Sequence, residues 1–318
     1  MKGFRTLRGK TRPVRLRDRP LGARKGFHPL HGKGVSPRTA GTALRSALMW
    51  AMAAVTLLPL LLTLGGSLMG KSELTARIAP VLTGAGGYAH MTLLPVLPTP
   101  EQYLKLLLDN EKFLSMFWNS MRMVLPMVLG QLVVGTLAAW GFAHFRFPGR
   151  EPLFMGYIAL MMMPFQVTLV PSYLTLHRLG LLDTPWAVIL PGAFSTFAVF
   201  LLRQFFRTIP RELIESARID GAGELTIFRS IALPLGASGI ASLFVLSFLD
   251  NWNLIEQPMV FLKDQSTWPL SLYLTRIGES NTDVAMAASI LTLIPTVLLF
   301  FYFETYLVEG IQRTGIKE

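Results

Sequence analysis

Residues 209–234, IPRELIESARIDGAGELTIFRSIALP, decide the fold. This is the longest charge-rich run in the second half of the chain, and apolar segments long enough to cross a bilayer flank it on both sides. Pro210 suits a first helical position, where its missing N–H costs nothing. Glu212 and Glu215 fall in the first turns, where the helix dipole favours acids. Leu213, Ile214 and Ala217 recur three and four apart and make one modest apolar face. Asp220-Gly221 is a turn signal, and a second short helix follows. The segment reads as helix, turn and helix, held at a membrane surface by two spans and presenting a helix face to something outside the membrane.

Working outward, the whole chain is too apolar for an ordinary soluble domain. Its 318 residues are 51% hydrophobic and only 15% charged, with a mean hydropathy of +0.45, so several spans must exist where charge is nearly absent. The net charge of +11 is not spread evenly. Residues 1–45 hold thirteen Lys/Arg against Asp18 alone, whereas the remainder holds seventeen against eighteen acids. Such a basic tail suits either a nucleic acid or anionic lipid. The apolar segment that follows directly favours lipid and no nucleic acid. The absence of cysteine excludes disulfides, thiolate metal sites and a cysteine nucleophile.

Four regions follow. Residues 1–43 form a basic tail without periodic apolar pattern, expected to be disordered. Residues 44–112 hold a first span and a mixed-charge extracytoplasmic segment. Residues 113–308 carry five further spans and a cytoplasmic loop at 207–230, and 309–318 form a C-terminal tail. The spans are placed at 44–69, 117–143, 152–176, 185–206, 231–251 and 284–308, each near or above the ~20 residues that cross the hydrocarbon core. Prolines inside them, Pro164 among them, are tolerated where neighbouring helices re-satisfy the freed carbonyls. The basic tail is too long, and the first apolar core too extended, for a cleavable signal peptide. An even span count puts both termini on one side. With that side cytoplasmic, inside segments carry 22 Lys/Arg and outside segments 7, the bias of the positive-inside rule.

The spacing inside the opening stretch is specific: Glu215-Ser216-Ala217, three residues, Gly221, nine residues, then Ile231-x-Leu233-Pro234. It resembles the EAA loop of importer-type ABC transporter permeases. The likeness extends to FWNS at 117–120, to 138–149, 163–171 and 205–209, to Trp252-Asn253 and to the ending at 310–317. It covers roughly 113–318, more loosely 44–112, and is similar above all to the smaller, maltose-type permease of carbohydrate importers. The resemblance implies an all-α, six-span, type I importer permease of a prokaryotic cytoplasmic membrane, with both termini cytoplasmic. It also implies a second homologous permease, two copies of a cytoplasmic ABC ATPase and an extracytoplasmic solute-binding protein as partners. ATP and Mg²⁺ then belong to the ATPase, and this chain is expected to hold no cofactor, metal or catalytic group. Leu213, Ile214, Glu215, Ser216, Ala217, Asp220, Gly221, Ile231, Leu233 and Pro234 are implied to couple it to that ATPase. Three departures stand out. Ser216 replaces an alanine, Leu254 stands where the family often has an acid, and the basic tail is longer than usual.

Other motifs in the chain compete with this reading. Gly65-Gly66-Ser67-Leu68-Met69-Gly70-Lys71-Ser72 satisfies G-x-x-x-x-G-K-[ST]. That phosphate loop works only between a strand and a helix, and here a membrane span precedes it. Arg122 is expected to snorkel to the headgroups rather than line a pore. His144 and Arg146 are read as boundary anchors, and Met161, Met162 and Met163 as helix packing. Asp250-Asn251-Trp252-Asn253 allows two readings: an aromatic ring with amides suited to a sugar, or an interfacial tryptophan with polar neighbours. Asn119 and Gln166 are further candidates for the substrate path. An ion-coupled carrier is disfavoured by the lack of paired embedded carboxylates. A membrane enzyme is disfavoured by the lack of a nucleophile–base set. Another importer cargo, such as a peptide or glycerophosphodiester, remains the alternative within the class.

Overall fold

The computed structural model describes residues 38–82, 88, 92–280 and 282–315. The chain divides into two units, residues 1–54 and 55–318. In the first, the described part is the beginning of helix α1 (Arg38–Ser67), with side chains almost all exposed from Thr42 on. The expected disordered tail lies outside the described residues over 1–37. Over 38–43 the expectation is corrected: these residues are helical, the first described turns of α1.

The second unit contains only helices and turns among its described residues. After α1 come α2 (Lys71–Leu82), α3 (Glu101–Leu104) and α4 (Glu111–His144). Next are α5 (Arg150–Met161), α6 (Phe165–Arg178), α7 (Trp186–Gly192), α8 (Thr196–Phe206) and α9 (Arg211–Ile219). Then follow α10 (Glu224–Ile227), α11 (Leu233–Leu235), α12 (Ala237–Trp252), α13 (Glu256–Phe261), α14 (Leu270–Ser280) and α15 (Thr282–Gly315). Residues 309–315 of the expected C-terminal tail thus continue α15.

Among the described residues, four segments are long and apolar enough to span alone: Thr42–Ser67, Glu111–His144, Trp186–Phe206 and Val284–Tyr306. Two more are bent pairs, α5 with α6 at 98° and Glu224–Leu235 with α12 at 72°. With each bent pair taken as one span, the described residues hold six apolar segments at the expected places, of which the third and fifth are not straight. Pro164 does not ride inside the third. With φ −66° and ψ 144° it sits in extended backbone just before α6, because its ring and missing N–H break the ladder. Met161, Met162 and Met163 at that bend are exposed rather than packed. In the fifth, Pro234 follows a π-helical turn, Phe228–Ala232, and the chain bends at Gly236.

Helix α4 is the pillar on which the others pack. One half, around Met116, Met123 and Met127, meets Phe248 and Trp252 of α12, Leu270 of α14 and Ala287 of α15. Its other half, with Ala139, Trp140 and Phe142, meets Phe154 of α5, Leu202 and Phe206 of α8, and Leu243 of α12. Between helices that lie in lipid, close packing of small residues replaces the hydrophobic drive. A Cβ added at Gly135 would stand 2.9 Å from the Ala198 Cβ of α8.

Gly65–Ser72 is no phosphate cradle. It joins helix α1 to helix α2 with no strand before it, and the Ser67 hydroxyl is taken up by the Leu64 carbonyl and the Tyr103 hydroxyl at 2.7 Å.

Candidate functional site

Helix α9 begins at Arg211, with Pro210 one residue outside it in extended backbone (φ −58°, ψ 135°) rather than in the first turn. It ends in a Schellman turn. The Gly221 N–H donates to the Arg218 carbonyl at 3.0 Å and the Ala222 N–H to the Ala217 carbonyl at 2.9 Å. Gly221 takes φ +84° at the position such a turn reserves for glycine. Across the turn, Arg218 Nη2 pairs with Glu224 Oε1 at 2.7 Å. The corner between α9 and α10 is thus held by its own backbone and one ion pair, independently of anything outside.

The apolar face of α9 points the other way from the sequence expectation. Ile214 is 3% exposed and packs with Trp140, Phe206, Ile209, Ile227 and Phe228, with Ala217 half-buried beside it. These two, with the half-buried Ile231 and Leu233, seat the segment on its own chain. The reason is simple: a short helix with one apolar stripe buries that stripe against the nearest core. Leu213, Glu215, Ser216, Asp220, Gly221 and Pro234 remain exposed. So does Ile219, at 86%, a residue the sequence pattern did not single out.

A second group was missed altogether. Arg203, near the end of α8, is 4% exposed. Its Nε donates to the Phe142 carbonyl at 3.3 Å, and its Nη2 to both oxygens of Glu151 at 3.2 Å. Its guanidinium carbon lies 3.7 Å from the centre of the Phe154 ring. One side chain thereby locks α8 to the end of α4 and the start of α5. The available signal was an arginine inside an apolar span with an Arg-Glu pair heading the neighbouring one. His144 bonds across as well, its Nε2 lying 2.9 Å from the Phe206 carbonyl oxygen. Between the end of α4 and α9 lies a cavity of about 490 Å³ lined by His144, Phe145, Arg146, Arg211, Ile214, Glu215 and Arg218.

The candidate path residues separate into two sets. Trp252 is 2% exposed, stacked on Phe248 at 5.4 Å with Phe117 edge-on at 5.7 Å. Its Nε1 donates to the Thr292 carbonyl at 3.2 Å. Its faces are covered, which removes the sugar-stacking reading. Asn251 is buried and donates to the Ser247 carbonyl at 2.7 Å. Asn119 donates to the Ser266 and Trp268 carbonyls at 2.7 and 3.2 Å, stapling the 262–269 turn. In that turn the Ser266 hydroxyl and N–H donate to Asp264, holding its carboxyl below the usual aspartate value. Gln166 and Asn253 are exposed. The Gln166 amide donates to Glu256 at 3.3 Å. Asn253 lines a cavity of about 640 Å³ together with Leu246, Leu249, Asp250, Leu254, Ile255 and Glu256. Asp250 and Glu256 therefore join the exposed polar set.

Residues 131–313 match the family described as binding-protein-dependent transport system inner membrane component. The chain is 32% identical over 223 residues to the arabinooligosaccharides transport system permease protein AraQ of Halalkalibacterium halodurans, covering 69% of this chain and 80% of the relative. It is 36% identical over 208 residues to the sn-glycerol-3-phosphate transport system permease protein UgpE of Yersinia pestis, covering 64% and 74%. Its fold is that of a chain in a bacterial ABC transporter involved in the import of the acidic polysaccharide alginate. That match has a TM-score of 0.72 at 22% identity, over 88% of this chain and all of the other. A second structure, of the alginate transporter with its alginate pentasaccharide-bound periplasmic protein, gives 0.56 at 18% identity, over 84% and 96%. With the family match covering more than half of its length and a relative 32% identical over 69% of it, the chain belongs to the inner membrane components of binding-protein-dependent transport systems, multi-pass membrane proteins that act as transport permeases.

Proposed function

We propose that this chain is the permease subunit of an ATP-driven importer for a sugar or oligosaccharide, forming half of the translocation path beside a second permease. Two copies of a cytoplasmic ATPase bind ATP and Mg²⁺, and an extracytoplasmic binding protein delivers the solute. The single observation that carries coupling is the α9–α10 corner. It is seated by Ile214 on its own core and turned by Gly221, so it offers Leu213, Glu215, Ser216 and Ile219 outward on a rigid base. Both termini and this corner are cytoplasmic, a placement supported by the 22 to 7 bias in Lys/Arg.

The mechanism is alternating access. Closure of the ATPase dimer carries α9 with it, and the lock of Arg203 on Glu151 and the Phe142 carbonyl passes that motion to α4, α5 and α8 as one body. No bond chemistry occurs in this chain. A glycerol phosphate cargo is the second reading, raised by the relative in Yersinia pestis. The exposed carboxylates of Asp250 and Glu256 on the 640 Å³ cavity repel an anion and favour the sugar. The test is purification of the complex with its ATPase, reconstitution with the binding protein, and uptake of labelled oligosaccharides against glycerol 3-phosphate. Solute-stimulated ATP hydrolysis with sugar uptake is the expected result. A preparation that contains no ATPase and transports along an ion gradient overturns the reading.

A further inference from the structure

We propose that the cavity between the end of α4 and α9 is a headgroup site for an anionic phospholipid of the inner leaflet; the inference rests on the cytoplasmic placement of α9 given above. The cavity's volume of about 490 Å³ is many times the ~30 Å³ share of one water in the liquid. Its lining is cationic: Arg146 comes from the chain leaving α4, Arg211 and Arg218 come from α9, and Glu215 supplies the one acid. Arg218 is engaged with Glu224. Arg146 and Arg211 form no ion pair among the described residues. Two planar donor forks from two elements thus face one space that holds a single carboxylate, Glu215, with which neither forms an ion pair, and a phosphate is the group that such forks take bidentately.

Three observations make the occupant a lipid rather than an acid of the ATPase. Arg211, Ile214 and Arg218 are spaced three and four apart, so they share the face of α9 turned to α4, whereas Ser216 and Ile219 lie on the opposite, free face. The chain leaves α4 as Phe145-Arg146-Phe147, with the two phenylalanines 41% and 39% exposed on either side of the arginine. Rings at the acyl boundary with a guanidinium between them at phosphate depth is the arrangement of an interfacial anchor. Finally, Arg146 is shared with an adjoining cavity lined also by Phe147, Arg150 and Glu151, where Arg150 is paired with Glu151 at 2.8 Å. Arg146 therefore stands at the end of an apolar span and opens to both cavities, at the level where an anionic leaflet concentrates phosphate. A bound headgroup would tie α9 to the end of α4 from the membrane side and leave its outer face for the ATPase.

The test uses the whole transporter, this permease with its partner permease and ATPase, in nanodiscs of phosphatidylcholine with rising phosphatidylglycerol. Retained lipid is counted by native mass spectrometry, and solute-stimulated ATPase activity is recorded on the same samples. Activity should rise with phosphatidylglycerol, and Arg146→Gln with Arg211→Gln should require roughly fivefold more of it per arginine lost, the order set by one basic side chain at an anionic surface. The double variant should also lose one retained phosphatidylglycerol per copy of this chain. Arg146→Lys with Arg211→Lys, which keeps the charge, should fall between, and activity of the glutamine variant should recover at high phosphatidylglycerol, showing an intact fold. Unchanged lipid retention and lipid dependence in the glutamine variant overturns the site. Inorganic phosphate replacing phosphatidylglycerol for the wild type overturns the lipid in favour of a soluble anion. Activity lost at every lipid composition with lipid retention intact overturns it in favour of an ATPase contact. Failure of the importer reading would appear separately, as a wild type without solute-stimulated ATPase activity in any lipid.

Discussion

At Gly221 the backbone sits at φ +84° and an added Cβ would meet nothing within 4 Å. Within this chain, a defect on substitution there comes from backbone strain and not from a clash. The order of residues is then set by tolerance of the left-handed region: Gly221→Asn mild, Gly221→Ala intermediate, Gly221→Val worst, with an α_L cost of about 1–2 kcal/mol for an ordinary side chain. Coupling should follow the same order, read as uptake and ATPase activity on the same vesicles. Damage that tracks side-chain volume alone would point to a crowded site instead. Arg203 makes the contrasting case, since its effect is all contact. Arg203→Lys keeps the charge but cannot serve Phe142, Glu151 and the Phe154 ring together. The solubilised complex should lose about 5 °C in Tm by fluorescence-monitored melting. An unchanged Tm would show that the lock carries no load.

At the scale of the element, α9 has two faces with different duties, and they can be separated. Ile214→Ala empties a buried position and should cost about 2–5 kcal/mol, seen as looser docking of the 209–234 segment in hydrogen exchange. Ile219→Ala removes an exposed side chain and should leave exchange unchanged while lowering solute-stimulated ATPase activity several-fold. The opposite pattern would mean that the helix docks on its partner through the face assigned here to its own core. The bent spans carry a related lesson. Both bends sit beside a proline, Pro164 and Pro234, with a glycine, Gly236, completing the second. Pro126, Pro171, Pro191 and Pro295 lie inside helices as expected, whereas Pro164 marks a change of direction.

For the whole molecule, the apolar segments and the charge bias predict a topology that labelling can test, because the chain has no cysteine of its own. Cysteines placed at Gly9 and Gly223 should stay shielded from an impermeant thiol reagent in intact cells. One at Tyr88, whose side chain is 87% exposed, should react. Reaction at Gly223 with shielding at Tyr88 would invert the orientation and put the α9–α10 corner on the wrong side for ATP.

What could be read from residues alone was whatever is local. Apolar runs of spanning length and the turn at Asp220-Gly221 are set by hydropathy and backbone preference over a few residues, and they reappear as four long helices, two bent pairs and a left-handed Gly221. What only tertiary structure decided was direction. Ile214 turned inward and Ile219 outward; Trp252 buried both of its faces; Arg203 found Glu151, which is 52 residues away in sequence. In a chain that lives in lipid the physical reason is plain. Apolar side chains face the bilayer, the neighbouring helix or a partner with nearly equal ease. Periodicity marks a stripe without naming what covers it, and the answer comes from which helices α4 gathers around itself.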